Sequence, residues 1–104
     1  VHLERDRLLR LYIEMLMALG EAHTRHQRYA KAAEAYRRIL VRDELHEDAV
    51  RALMQSLERG GERASALRLY ERFADRLKQE LRAKPSAATV ALHRELSRGE
   101  GVAT

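Results

Sequence analysis

Apolar residues recur at every third or fourth position along almost the whole chain. Leu8, Leu9, Tyr12, Leu16 and Leu19 form the first such stripe, the pattern of a helix with one buried face. It predicts a helix from about Leu3 to Thr24. Gly20 lies inside that helix, where it costs about 0.5–1 kcal/mol relative to Ala, so its presence predicts the close approach of another helix. A polar stretch, Arg25 to Arg28, makes the first turn. Tyr29, Ala32, Ala33, Tyr36, Ile39 and Leu40 mark a second helix. Asp43 offers a side-chain oxygen as N-cap of a third, with Glu44, Glu47 and Asp48 near its positive end. Ala49, Val50, Leu53, Met54 and Leu57 are its stripe, and Gly60-Gly61 is expected to end it in a conformation with positive φ. The fourth helix carries Ala66, Leu67, Tyr70, Phe73, Ala74, Leu77 and Leu81. Pro85 is expected to stop it, because the residue before a proline disfavours the α region. Ser86 can cap a fifth helix with Val90, Leu92, His93 and Leu96, and the tail from Arg98 to Thr104 is expected to fray. Five helices on short turns predict an all-α array of antiparallel hairpins.

The helices repeat. With a shift of 34 residues, Ile13–His46 aligns with Glu47–Glu80, and eight pairs are identical: Ala18/Ala52, Leu19/Leu53, Arg25/Arg59, Ala30/Ala64, Ala32/Ala66, Tyr36/Tyr70, Arg38/Arg72 and Arg42/Arg76. Ala32 and Ala66 are small where paired helices must approach, and Tyr36 and Tyr70 follow four residues later on the same face. The expected packing positions are Leu16, Leu19, Gly20, Ala32 and Tyr36 in one unit and Val50, Leu53, Ala66 and Tyr70 in the next. This spacing resembles the tetratricopeptide repeat. The chain departs from that pattern at Leu16 and Val50, where an aromatic is usual, at Met54 in place of a small residue, and at Glu44 and Lys78 in place of a closing proline. The resemblance implies a right-handed superhelix of about five helices. The chain is then one domain, 1–104, with units at about 13–46 and 47–80 and a closing helix at about 86–97.

Composition narrows the chemistry. The 104 residues contain no Cys, which excludes disulfides, thiol nucleophiles and cysteine zinc sites. No apolar run approaches the roughly 20 residues of a membrane span, and no signal peptide is apparent, so a cytoplasmic location is expected. Lys and Arg number 20 against 16 acids, a net charge of +4. The acids are interleaved with the Arg residues rather than set apart from them, which describes a solvated helical surface better than a phosphate-binding face. Direct nucleic-acid binding through that surface is the weaker alternative. Phosphate-binding loops and dinucleotide motifs are absent from the sequence, no nucleophile is matched to a base and an oxyanion site, and no enzyme activity or cofactor is expected. His23 and His26 are three apart without a matching carboxylate pair, a poor metal site.

A second resemblance is more specific. Leu45-His46-Glu47-Asp48-Ala49, Leu53-Met54, Gly60-Gly61, Ala66-Leu67-Arg68-Leu69-Tyr70, Glu80-Leu81 and Pro85-Ser86 occur in that order. Together they resemble the bacterial transcriptional activator domain of antibiotic-regulatory-type regulators, over about residues 3–97. One departure is Arg82-Ala83-Lys84, where that family commonly has a Gly. The resemblance implies a non-catalytic, signal-transmitting interaction module that follows a winged-helix DNA-binding domain. Its implied partners are that DNA-binding domain, RNA polymerase or another regulator subunit, with nucleic acid bound only through the separate domain. A general tetratricopeptide adaptor unrelated to transcription is the alternative.

In stacked helix pairs the first helix of each pair lines the concave side. That places Glu14, Met17, Glu21 and Thr24 beside Asp48, Arg51, Gln55 and Glu58 as the candidate interaction face. Two units also fall short of the three or so that close a repeat core. The fifth helix can cap one end. The other end, near Leu8, Leu11 and Ile13, is left for another copy, as in a homodimer, or for the DNA-binding domain.

Overall fold

Helices that can bury apolar stripes only against their neighbours in sequence stack in order, and this chain does so. A computed structural model describes residues 2–102, in which α1 (His2–Arg25), α2 (Tyr29–Arg42), α3 (Glu47–Arg59), α4 (Arg63–Leu81) and α5 (Ala87–Val102) follow one another. Val1, Ala103 and Thr104 of the expected domain lie outside the described residues. Each helix packs on the next, and α5 also reaches back to α3. The stack measures 55 × 37 × 18 Å, its short dimension being about two helix diameters. The fold is all-α and tetratricopeptide-like, with no strand among the described residues.

Small side chains set the spacing of the helices. Ala32, Ala33, Ala35, Ala49 and Ala66 are buried among Leu16, Ile39, Val50, Leu53, Met54, Leu57 and Phe73. Gly20 is buried in α1, and a methyl group there would collide with the Tyr36 ring. The position equivalent to Gly20 in the second unit is Met54, which is fully buried. Tyr70 accordingly differs from Tyr36. It is half-buried, and its ring stacks on His93 of α5 with centroids 3.9 Å apart and planes 11° from parallel.

The helix ends differ in detail from the sequence expectations. The N-cap of α3 is His46, whose Nδ1 accepts the Ala49 backbone N–H at 3.1 Å. Asp43 instead closes α2, donating its backbone N–H to the Ile39 carbonyl at 2.8 Å. Glu44 therefore lies in the turn and pairs with Arg76 of α4 at 2.8 Å. Gly61 has φ +86° and ends α3 as expected. There the Glu62 N–H returns to Leu57 and the Gly61 N–H to Glu58, the paired bonds of a Schellman turn. The same two bonds close α1, from Arg28 to His23 and from Gln27 to Thr24. Gln27, 34 residues before Gly61, thus occupies the left-handed position at φ 58°. Helix α4 ends at Leu81, ahead of Pro85, because Arg82 also turns left-handed at φ 50°. The expected fraying from Arg98 does not occur over the described residues, since α5 continues to Val102.

Helix α5 is fastened by polar groups. Glu47, in the first turn of α3, accepts the Ser86 backbone N–H at 2.7 Å and the Thr89 hydroxyl. Arg51, one turn later, donates to Thr89 Oγ1 at 2.9 Å and pairs with Asp48. Thr89 is wholly buried, and Leu96 adds an apolar contact further along. Burial pushes the Glu47 carboxyl up, but hydrogen bonds from Ser86 and Thr89 and the nearby Arg51 charge outweigh it, and the group rests below its ordinary value.

These features generate four predictions. Gly20→Ala, a change that ordinarily stabilises a helix interior, is expected to cost about 1–3 kcal/mol here because the added methyl overpacks Tyr36; urea denaturation reads the sign. Gln27→Gly and Arg82→Gly are each expected to gain about 0.5–1 kcal/mol in the same assay, since Gly relieves a left-handed backbone. Thr89→Val removes a hydroxyl that joins Glu47 to Arg51 and is expected to cost about 2 kcal/mol at neutral pH. A depressed folded pKa stabilises above the ordinary carboxylate range, and that contribution is lost as pH falls through the folded value. The melting-temperature gap between wild type and Glu47→Gln is therefore expected to close on acidification; a gap that stays constant would remove Glu47 from this role.

Candidate interaction site

The first helices of the two hairpins frame a groove of about 380 Å³. Met17, Glu21 and Thr24 of α1 face Gln55 of α3 across it, so four of the eight residues expected on the interaction face come together there. Its floor is Tyr36, Ala52 and the buried Ser56, and Arg25 and Arg59 stand at its rim. Arg25 and Arg59 are a 34-residue repeat pair and the last residues of α1 and α3, where a cation offsets the helix dipole. The Thr24 hydroxyl donates to the Gly20 carbonyl at 2.9 Å. Burial raises the Tyr36 phenol above its ordinary pKa, partly offset by a hydrogen bond with Thr24, while Glu21 adds to the rise.

The other four expected residues are elsewhere. Asp48 and Arg51 belong to the fastening of α5, as described above, and are not part of the groove. The reason is the short connection after α4, which returns the chain to the N-terminal end of α3 and lays α5 across it. Glu14 and Glu58 do not line the groove; Glu14 is exposed and Glu58 partly so. Among the packing positions, Leu16, Ala32, Tyr36, Val50, Leu53 and Ala66 are buried. Leu19 is a correction. It is 42% exposed, whereas its counterpart Leu53 is 3% exposed. Helix α3 has a helix on either side, α2 before it and α4 after it, while the main contact of α1 is with α2 alone.

That difference exposes a surface the sequence showed only in part. Leu8, Leu11 and Met15 are 55%, 50% and 57% exposed and lie with Leu19 along one side of α1. Leu3 is exposed beyond them. Ile13, expected at this open end, is buried instead, because it sits on the opposite side of the helix. The spacing of Leu8, Leu11, Met15 and Leu19 is helical, so the signal was available. The interleaved stripe of Leu9, Tyr12 and Leu16 masks it, because the two stripes together read as a single apolar face.

Two further clusters carry charge without a matched site. His23 Nδ1 accepts a bond from Arg28 Nε at 3.1 Å, which uses it in the first turn. A cleft of about 830 Å³ between the end of α4 and the following connection is lined by Asp75, Lys78, Arg82 and Lys84. Cations there face the carbonyl end of α4, where the dipole favours them. Among the described residues no three His, Asp or Glu side chains are grouped as metal ligands would be. No described helix is long and apolar enough to cross a membrane.

The family model of the bacterial transcriptional activator domain matches residues 1–97. No curated protein and no solved structure matches the chain. The match covers all five helices up to the last turns of α5, and it agrees with the order of motifs from Leu45 to Ser86. This chain belongs to the bacterial transcriptional activator domain family and is a module of transcriptional regulation.

Proposed function

We propose that this module acts by protein contact and not by chemistry, and that the outer face of α1 is the contact surface. The observation that carries this is the apolar stripe Leu8, Leu11, Met15 and Leu19, about half exposed on the first helix of the stack. A contiguous apolar strip of that kind on a water-exposed helix marks an interaction site. The titratable groups with displaced pKa values also have structural uses. Tyr36 seats Gly20, Glu47 fastens α5, and Arg76 joins Glu44 and Glu80. On this reading the regulator's DNA-binding half, RNA polymerase or a further regulator subunit is reached through the helical surface, in a cytoplasmic setting.

A reporter measurement tests the reading. Fused to an unrelated bacterial DNA-binding domain, the chain is expected to alter transcription from a promoter carrying that domain's operator. The double variant Leu11→Glu/Met15→Glu, with unchanged helix content and melting temperature, is expected to return output to that of the DNA-binding domain alone. Equal output from wild type and the double variant would end the proposal.

A further inference from the structure

We propose that a pocket between α2 and α4 binds a phosphate dianion, either the free ion or the head of a small phosphate monoester. The pocket is separate from the outer face of α1. Arg37 of α2 lines it together with Ser65, Arg68 and Arg72 of α4, and the buried Leu53 and Leu57 of α3 form its apolar wall. No acidic side chain is among the lining residues. Arg68 Nη2 donates to Ser65 Oγ at 3.2 Å, which holds that guanidinium and leaves the hydroxyl proton free for an oxyanion. Among the described residues the ion pairs go to Arg51 and Arg76, and no acid comes within pairing distance of Arg37, Arg68 or Arg72. The repeat shows that this is more than a by-product of an Arg-rich chain. By the 34-residue shift Arg68 corresponds to Glu34 and Arg37 to Glu71. Copying either unit strictly onto the other would set an acid opposite an arginine across the seam between α2 and α4. The chain instead has arginine at both positions that line the pocket, and its glutamates at the two exposed positions that do not.

Three unpaired cations around one small space repel one another, and the buried leucines behind them keep water from screening the charge on that side. A bound anion offsets the repulsion. The pocket holds about 180 Å³, room for about six waters. That is below the roughly 300 Å³ at which pockets for whole drug-sized ligands begin, so it takes a head group and leaves the remainder of a larger molecule outside. Guanidinium forks match the oxygens of carboxylate and phosphate alike, and charge decides between them. A phosphate monoester carries close to two negative charges at neutral pH, against one for a carboxylate or a phosphate diester, and three arginines favour the dianion. A nucleic-acid backbone offers single charges in a row and is held by a track of cations, whereas here the cations surround one point. Bound across the seam, the phosphate ties α2 to α4 and so joins the second helices of the two hairpins.

Thermal melting and calorimetric titration of the chain near neutral pH test this. Inorganic phosphate at about 10 mM is expected to raise the melting temperature by about 5 °C over sodium chloride of equal ionic strength. Dimethyl phosphate, a singly charged diester, should leave it unchanged. An equal rise with methyl phosphate assigns the site to a monoester head group, and a rise with inorganic phosphate alone assigns it to the free ion; both support the dianion site. Arg37→Gln and Arg72→Gln should each weaken phosphate binding at least about tenfold, while Arg10→Gln on α1 should not change it. Arg68→Glu gives the seam the acid found at the equivalent place in the first unit. It should raise the melting temperature in phosphate-free buffer and abolish the phosphate response. A melting temperature equal in phosphate and chloride overturns the proposal, as does a response that survives both Arg37→Gln and Arg68→Glu. A short DNA duplex that binds through Arg37 and Arg72, where inorganic and methyl phosphate do not, gives the face to nucleic acid and overturns it as well.

Discussion

Close approach between successive helices is the constraint on which this structure depends. A slab two helices thick has no separate interior to fill, so each interface must be dense in its own right. The chain meets this with alanines at the contact lines and with one glycine. Gly20 lets the Tyr36 ring lie directly against the α1 backbone, and in return Tyr36 loses nearly all of its contact with water. The second hairpin solves the same problem differently. Met54 stands buried at the position of Gly20, and the half-buried tyrosine at the matching position stacks on His93. Two units built on one plan therefore differ at the residue that decides how far apart their helices sit.

The two ends of the stack are unlike. At one end α5 lies across α3 and α4, held by Glu47, Arg51 and Thr89 as well as by Leu96 and the Tyr70–His93 stack. Polar fastening of this kind fixes position more than it adds stability, because buried donors and acceptors are costly in any arrangement that leaves them unpaired. At the other end α1 is covered on one side only. On the contact reading proposed above, one surface of the stack is finished and the other is open.

Much of this was legible in the residues. Helical spacing locates all five helices, and the 34-residue shift pairs Ala32 with Ala66, both buried, and the buried Tyr36 with the half-buried Tyr70. The errors came where local pattern competes with tertiary context. Asp43 is a good capping residue by type, but His46 stands nearer the first turn of α3 and its ring nitrogen takes the bond. Leu19 and Leu53 are identical in sequence and opposite in exposure, because a repeat comparison says which residues correspond and nothing about which unit stands at an end. The same correspondence sets Asp48 and Arg51 on a concave face, because it carries no information on α5. Gln27 was legible in principle. Its counterpart is Gly61, and the demand for a left-handed residue at one member of a repeat pair applies to the other.

The order of contacts has a consequence for how the chain comes together. Every helix but α5 rests chiefly on its immediate neighbours in sequence, so little loop-closure entropy is lost before contacts begin to compensate. Either hairpin can form as a local event, and neither must wait for a distant strand or terminus. The tie from Glu47 to Ser86 and Thr89 spans about forty residues and is the exception. Its partners meet only when α3 and α4 are already in place, so the latch on α5 closes last and reports that the stack beneath it is complete.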